Sequence, residues 1–270
     1  MIAGRLILAA AVLLLPDAAA PIDLRPETLK AFERYIQLTE ARIATETSGA
    51  SPLLWIDRRG EPQRQPIMNR LGRGEVVVEP LLTKDGTAEI EVPDGLIHHW
   101  IGTVLMPNTK LDRVIAFVQD YSRYSTVFAP MIQQARVLKQ APDRFDITTR
   151  TWTRKVIEVV IEADYAVEYR RLGPTKVFSR SVASNIQEIK SPGTASEQKV
   201  PAAQGRGFMW RLNNYCSFEE RMEGVYEQCE SVSLSRSVPL LLRPIVSPIA
   251  KEMPREALAF SLGKVRAGVK

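Results

Sequence analysis

Between Ala135 and Arg236 the chain is a succession of strand-like runs separated by turn residues, and a single amphipathic helical segment follows it. The runs are Ala135 to Lys139, Phe145 to Trp152, Val156 to Tyr169, Lys176 to Ile189, Gly207 to Glu220 and Val225 to Arg236. Pro142-Asp143, Gly173-Pro174, the Pro/Gly/Ser-rich stretch 191–205 and Glu223-Gly224 separate them, which is turn chemistry. Short connections make successive strands antiparallel neighbours, so this region reads as a meander. A sheet of that size must bury a face. The helical segment opened by Pro254, with Leu258, Leu262, Val265 and Val269 on one side, is the element suited to cover it. The expected fold class is therefore α+β, a curved antiparallel sheet under a long C-terminal helix.

Upstream, Ile97 to Met106 reads as a strand ended by Pro107. Thr109 and Asp112 have the spacing of a capping box for a helix whose apolar face is Leu111, Val114, Ile115 and Val118. A second short helix or turn follows from Tyr121 to Pro130. Residues 21–95 form an N-terminal extension. In it, Leu29, Phe32, Ile36 and Ile43 mark an amphipathic helix over Pro26 to Glu46. The stretch to Gly74 reads as an irregular linker burying Leu53, Leu54 and Trp55, and Glu75 to Val92 as two strands around Lys84-Asp85-Gly86.

Residues 1–20 have the pattern of a signal peptide. Arg5 supplies the positive start, Leu6 to Leu15 the apolar core, and Ala18-Ala19-Ala20 the small-residue cleavage zone. The expectation is an exported protein of the periplasm or cell envelope. Pro21 disfavours cleavage directly after Ala20, leaving a cut elsewhere in the zone or an uncleaved N-terminal anchor as alternatives. With 45% apolar and 25% charged residues the chain is that of a packed globular protein. Its net charge of +5 is dispersed. That permits peripheral contact with an anionic membrane, but there is no basic stripe with interleaved aromatics to bind nucleic acid.

Cys216 and Cys229 are the only cysteines. If Arg221 to Gly224 form the turn, with Gly224 at positive φ, they face each other across the hairpin. Either a cross-strand disulfide or two small buried thiols fits, and a shift of one residue would separate them. No C-x-x-C or H-x-x-x-H spacing signals a metal site. Gly72-x-Gly74 and Gly205-x-Gly207 lack the third glycine of a dinucleotide loop, so no cofactor is expected. There is no G-x-S-x-G nucleophile elbow. Glu158, Glu162, Asp164, Glu219 and Glu220 read as solvated sheet positions.

The strand ending in Met106-Pro107, the helix from Leu111 and the string DYSRYSTVFAPMI, Asp120 to Ile132, come in the order of the START-like superfamily (SRPBCC; polyketide cyclase and Bet v 1-like). The string is similar to the D-Y-x-x-Y-P-x-x-x-P-x-V pattern of those families, with Ser125 in place of the proline after Tyr124. The resemblance covers Ile97 to Lys270 and delimits a domain at 96–270. It implies a helix-grip fold with two short helices after the first strand and an interior cavity. The strand residue before Pro107 then points inward, and alternation turns His98, Trp100, Gly102, Val104 and Met106 with it and His99 away. Trp152, Trp210, Leu258 and Leu262 join the expected lining. The bland readings are a histidine satisfied by a local partner and tryptophans of an ordinary core. The function expected from the resemblance is non-catalytic binding or carriage of a lipid or other hydrophobic small molecule. The alternatives are a cofactor-free cyclase, aromatase or hydrolase using His98, and an envelope interaction protein whose groove is filled by residues 26–92.

Overall fold

The computed structural model describes residues 24–155, 158–202, 204–238 and 243–269, with no side chains described over 243–250. Residues 1–20, expected to be a targeting segment, and Leu240 to Leu242 lie outside these residues. Eight strands form a continuous antiparallel sheet in the order β1 (Val77–Pro80), β4 (Gly95–Pro107), β11 (Gly224–Arg236), β10 (Arg211–Arg221), β8 (Lys176–Lys190), β7 (Glu158–Gly173), β6 (Arg144–Arg154) and β5 (Ile132–Ala141). The short β9 (Gln198–Lys199) pairs with β8, and β2 (Lys84–Asp85) and β3 (Ala88–Glu89) form a separate small hairpin. Register shifts at Val137/Lys139, Glu162/Asp164 and Arg171/Gly173 are bulges, which bend a sheet.

The helices are α1 (Pro26–Thr47), α2 (Glu61–Gly72), α3 (Leu111–Gln119), the single turn α4 (Tyr124–Val127) and α5 (Arg243–Gly268). α5 packs on one face of the sheet, the inner face. Leu258 and Leu262 contact Val104 and the Cys216–Cys229 pair, and Val265 and Val269 pack with Met106. Gly102 is what lets the helix come so close, since a Cβ there would lie 2.6 Å from Leu262 Cδ1 and 3.2 Å from Leu258 Cγ. This is the helix-grip arrangement. α3 and α4 close one end of the inner face with Tyr121, Phe128, Val114 and Val118 against Phe145, Val167 and Phe218.

The extension covers the opposite, outer face. Phe32, Tyr35 and Ile43 of α1 pack on Phe178, Tyr215, Val232 and Leu234, and Leu54, Trp55 and Ile56 pack on Ile101, Leu105 and Tyr226. A buried polar chain ties α1 down as well: Thr83 N–H donates to Tyr35 Oη (2.8 Å), which meets His99 Nδ1 at 2.7 Å, and His99 Nε2 meets Glu230 Oε1 at 2.7 Å. Arg42 of α1 also bonds Glu230. Of residues 26–92, β1 extends the sheet edge and brings Val76 and Val78 to the inner cluster beside α5, while the helices α1 and α2 and the turn at Trp55 pack on the outer face.

Four local expectations are corrected. The stretch before Gly74 is not irregular, because Trp55–Arg58 is a 3₁₀ turn and Glu61–Gly72 is a helix with Pro62 in its first turn and Pro66 inside. Of the sequence around Lys84-Asp85-Gly86, only β2 and β3 form the hairpin, and β1 pairs with β4 instead. Thr109 caps nothing, and its hydroxyl is buried without a partner. The N-terminus of α3 is held instead by Glu220, which accepts from Leu111 N–H (2.8 Å) and from Lys110 Nζ (2.7 Å), so Glu220 is not simply a solvated charge. Finally, α5 begins at Arg243 rather than Pro254, with Pro248 and Pro254 inside it, each forgoing one backbone hydrogen bond.

Candidate functional site

The inner face is built by strand alternation, and β4 shows it most directly. Trp100, Gly102, Val104 and Met106 point toward α5, while Ile101, Thr103 and Leu105 point toward the extension, where Thr103 Oγ1 accepts from Trp55 Nε1 at 3.1 Å. The register carries this parity across the sheet in rows. One row runs Tyr169, Ser179, Cys216, Cys229, Gly102, with Cys216 directly opposite Cys229 and Met222-Glu223 at the turn. The two sulfurs are bonded at 2.05 Å.

The next row toward the open end is Val167, Ser181, Asn214, Ser231, Trp100. Ser181, Asn214, Ser231 and Trp100 are all only half-buried. Among the described residues the side chains of Ser181, Asn214 and Ser231 have no hydrogen-bond partner. Beyond them Ser233 pairs with His98, and Leu212 with Ser233. α5 lies over β4 and β11 and so roofs the row at its Trp100 end.

On the closed side of the disulfide stands Glu227, between Phe218 and Val104 in the register. It is 4% exposed, and its Oε2 has no hydrogen-bond partner. Its Oε1 lies 3.6 Å from Cys229 Sγ, a disulfide sulfur with no proton to give, so only a protonated Glu227 can donate across that contact. Burial alone pushes its carboxyl up to about 8, so it is largely neutral at pH 7. Nearby, Tyr121 Oη and Tyr169 Oη are 3.0 Å apart, and Tyr124 Oη donates to Val118 O at 2.6 Å. Burial raises Tyr121 to about 12 and Tyr169 well above its ordinary value.

The structure gathers Trp100, Val104, Leu258 and Leu262 in one inner-face cluster, with His98 on the same strand face. His98 is 8% exposed, and its Nε2 lies 2.9 Å from Ser235 Oγ. Burial, with the positive Lys251 adding to it, lowers its pKa to about 4 and keeps the ring neutral. Two expected lining residues are elsewhere. Trp152 pairs with Val160 on the outward side of β6, and its Nε1 donates to Glu158 Oε1 at 2.6 Å. Trp210 packs with Phe32 and Tyr35 beneath α1. Trp152 lies one step out of phase with the inner face, whereas Trp210 has the parity of Leu212 and Asn214 but precedes β10, where the chain no longer follows strand alternation. Sequence reading passed over Glu227, Ser181, Asn214 and Ser231, although Glu227 lies two residues before Cys229 and so shares its face.

A surface pocket of about 290 Å³ between α3 and the end of α5, lined by Arg113, Phe117, Asp120 and Arg123, contains none of these inner-face groups. Among the described residues no helix is long and apolar enough to cross a membrane.

No family model matches the sequence, and no curated protein does either. Several solved structures are similar to it. A STAR-related lipid transfer protein from Xanthomonas axonopodis is 15% identical, with a TM-score of 0.45 over 70% of this chain and 98% of that one. The Zhui aromatase/cyclase from Streptomyces sp. R1128 is 9% identical, with a TM-score of 0.41 over 64% and 94%. The human StarD13 lipid transfer and protein localization domain is 6% identical, with a TM-score of 0.42 over 78% and 98%.

Proposed function

We propose that this protein is an exported carrier that holds a lipid or other small amphipathic molecule on the inner face of its sheet, under α5. The observation that carries the reading is the row Ser181, Asn214, Ser231, half-buried and unpaired among the described residues. Leu212 and Ala183 flank it on one side, and Tyr169 and the disulfide on the other. Half-buried polar side chains beside Trp100, Leu212 and Ala183 favour a ligand with an apolar body and a hydrogen-bonding group. Trp100, at the end of the row beneath α5, offers a flat apolar wall.

Titration with a fluorescent fatty-acid analogue, backed by native mass spectrometry of protein exposed to a lipid extract, tests the reading. Asn214→Leu is expected to weaken binding about tenfold, the value of one lost hydrogen bond. Trp100→Phe is expected to abolish the accompanying change in tryptophan emission. No saturable binding by the wild type, or equal affinity in the Asn214→Leu variant, would sink it.

Export by residues 1–20 is part of the proposal, and the Cys216–Cys229 bond supports an oxidising destination such as the periplasm. Cell fractionation that leaves the chain in the cytoplasm at full length would refute that part. The dispersed charge of +5 supports transient contact with anionic lipid, expected as vesicle co-sedimentation that weakens with added salt. Catalysis by His98 draws no support from the geometry, because the ring is neutral, buried and bonded to a serine rather than to an acid.

A further inference from the structure

Glu227 raises a question that ligand carriage leaves unanswered. A carboxyl between Phe218 and Val104, with one oxygen unpartnered and the other against a disulfide sulfur, is costly where a leucine would pack at no such cost. A staple between two strands does not need it. Yet Cys216 Sγ, Cys229 Sγ and a carboxylate oxygen of Glu227 all lie within 4.8 Å of one another. Sequence spacing gave no hint of a metal site because these ligands come from two strands and meet only through the hairpin register.

We infer that Cys216, Cys229 and Glu227 form a binding site for one thiophilic cation, Zn(II) or Cu(I), that is closed while the disulfide exists and opens when it is reduced. Two sulfurs on a tetrahedral ion at about 2.3 Å each sit roughly 3.8 Å apart, so the thiolates need only side-chain rotation to reach it from a cross-strand pair. The carboxylate of Glu227 gives the third ligand and the partner it now lacks. A fourth position is left for water or a small ligand.

The opening step balances as ordinary thiol–disulfide exchange with a dithiol reductant. One reductant thiolate attacks Cys216 Sγ, which is half-buried on the open side, and the Cys216–Cys229 bond breaks with Cys229 leaving as thiolate. The second reductant thiol then displaces Cys216, and the reductant departs as its own disulfide, two electrons having passed to the protein. The cation takes the place of the thiol and carboxyl protons, which are released to solvent.

The test uses the full chain, reduced anaerobically, desalted until free of the reductant, and titrated with Co(II) and then with competing Zn(II). The expected result is one ion per chain, thiolate-to-cobalt charge-transfer absorption, and displacement by Zn(II), with no binding by the oxidised chain. Glu227→Gln is expected to keep the thiolate absorption and to weaken affinity at least about tenfold, and the double variant Cys216→Ser/Cys229→Ser to lose both. Three outcomes overturn the inference: no stoichiometric binding by the reduced chain, equal affinity in Glu227→Gln, or loss of folded structure by circular dichroism on reduction alone. Glu227→Gln distinguishes this site from the carrier function, since Glu227 lies across the disulfide from the row of Ser181, Asn214 and Ser231 and this variant should still bind the fatty-acid analogue.

Discussion

Glu227→Gln should make the protein more stable, by an amount that grows with pH. The unfolded chain releases this proton near the ordinary carboxyl value of 4.5, whereas the folded chain holds it to about 8 because burial disfavours the charged form. Between those values the unfolded state binds fewer protons than the native state, so Glu227 costs stability progressively as pH rises through the window, and the full cost is present above it. The size follows from about 1.4 kcal/mol per pKa unit and is on the order of 4 to 5 kcal/mol. Glutamine keeps the shape and cannot ionise. The groups facing Glu227 do not blur the window, because the disulfide is uncharged and Tyr124 and Tyr169 are themselves pushed well above their ordinary range. Urea denaturation of both proteins under non-reducing conditions, from about pH 4 to about pH 9, measures the difference in unfolding free energy, in which shared titrations cancel. The difference should be flat at the acid end and climb in favour of the variant through neutrality. A difference independent of pH would refute the reasoning, because it would mean that Glu227 ionises as readily folded as unfolded.

Three further outcomes follow from the packing. Replacing both cysteines by serine should cost about 3 kcal/mol, the chain-entropy value for a short loop, the cysteines being 13 residues apart; equal urea midpoints for oxidised wild type and variant would contradict it. Gly102→Val should cost roughly 1 to 3 kcal/mol by pressing on Leu262 and should speed amide exchange in α5 more than in α1, whereas Gly224→Ala, with its Cβ 2.1 Å from Met106 O, should be worse because backbone cannot yield. Glu230→Ala should cost about 1 to 3 kcal/mol by leaving buried His99 Nε2 without its partner, Arg42 keeping Glu46, with early proteolysis in α1 as the reading; burial pushes the Glu230 carboxyl up, but His99 and Arg42 outweigh it and hold it lowered.

What the sequence revealed and what it hid divide along a physical line. Wherever a strand kept strict alternation and a fixed end, facing could be read: Pro107 fixes Met106, and His98 to Met106 follow in phase along β4, with Leu258 and Leu262 meeting them from α5. The hairpin register was legible for the same reason, since Gly224 at positive φ fixes the turn and with it the pairing of Cys216 and Cys229. Trp152 is a case where aromatic bulk conflicts with parity, and Trp210 one where parity no longer applies because the residue lies before the strand. Trp152 is one residue out of phase with Thr151, and Trp210 precedes β10, where the face is set by α1. The cap of α3 was hidden for another reason. Glu220 reaches it from a hairpin far away in the chain, and a plausible local box at Thr109 drew the reading instead.

The same distinction explains why the candidate site was only half visible. Its apolar half repeats with strand and helix periods and can be counted along the chain. Its polar half, Ser181, Asn214, Ser231 and Glu227, consists of single residues on three strands with no mutual spacing in sequence. They become a row, or a partner for the disulfide, only when the register is known. The outer face shows why register settles the matter. His99 is one residue from His98 and just as buried, yet lies in the docking network with Tyr35 and Glu230, where the extension closes over it. Polar residues on that side are consumed in holding α1 to the sheet. On the inner side Ser181, Asn214 and Ser231 remain without partners among the described residues, so a ligand that needs hydrogen bonds has only one face of this sheet to meet.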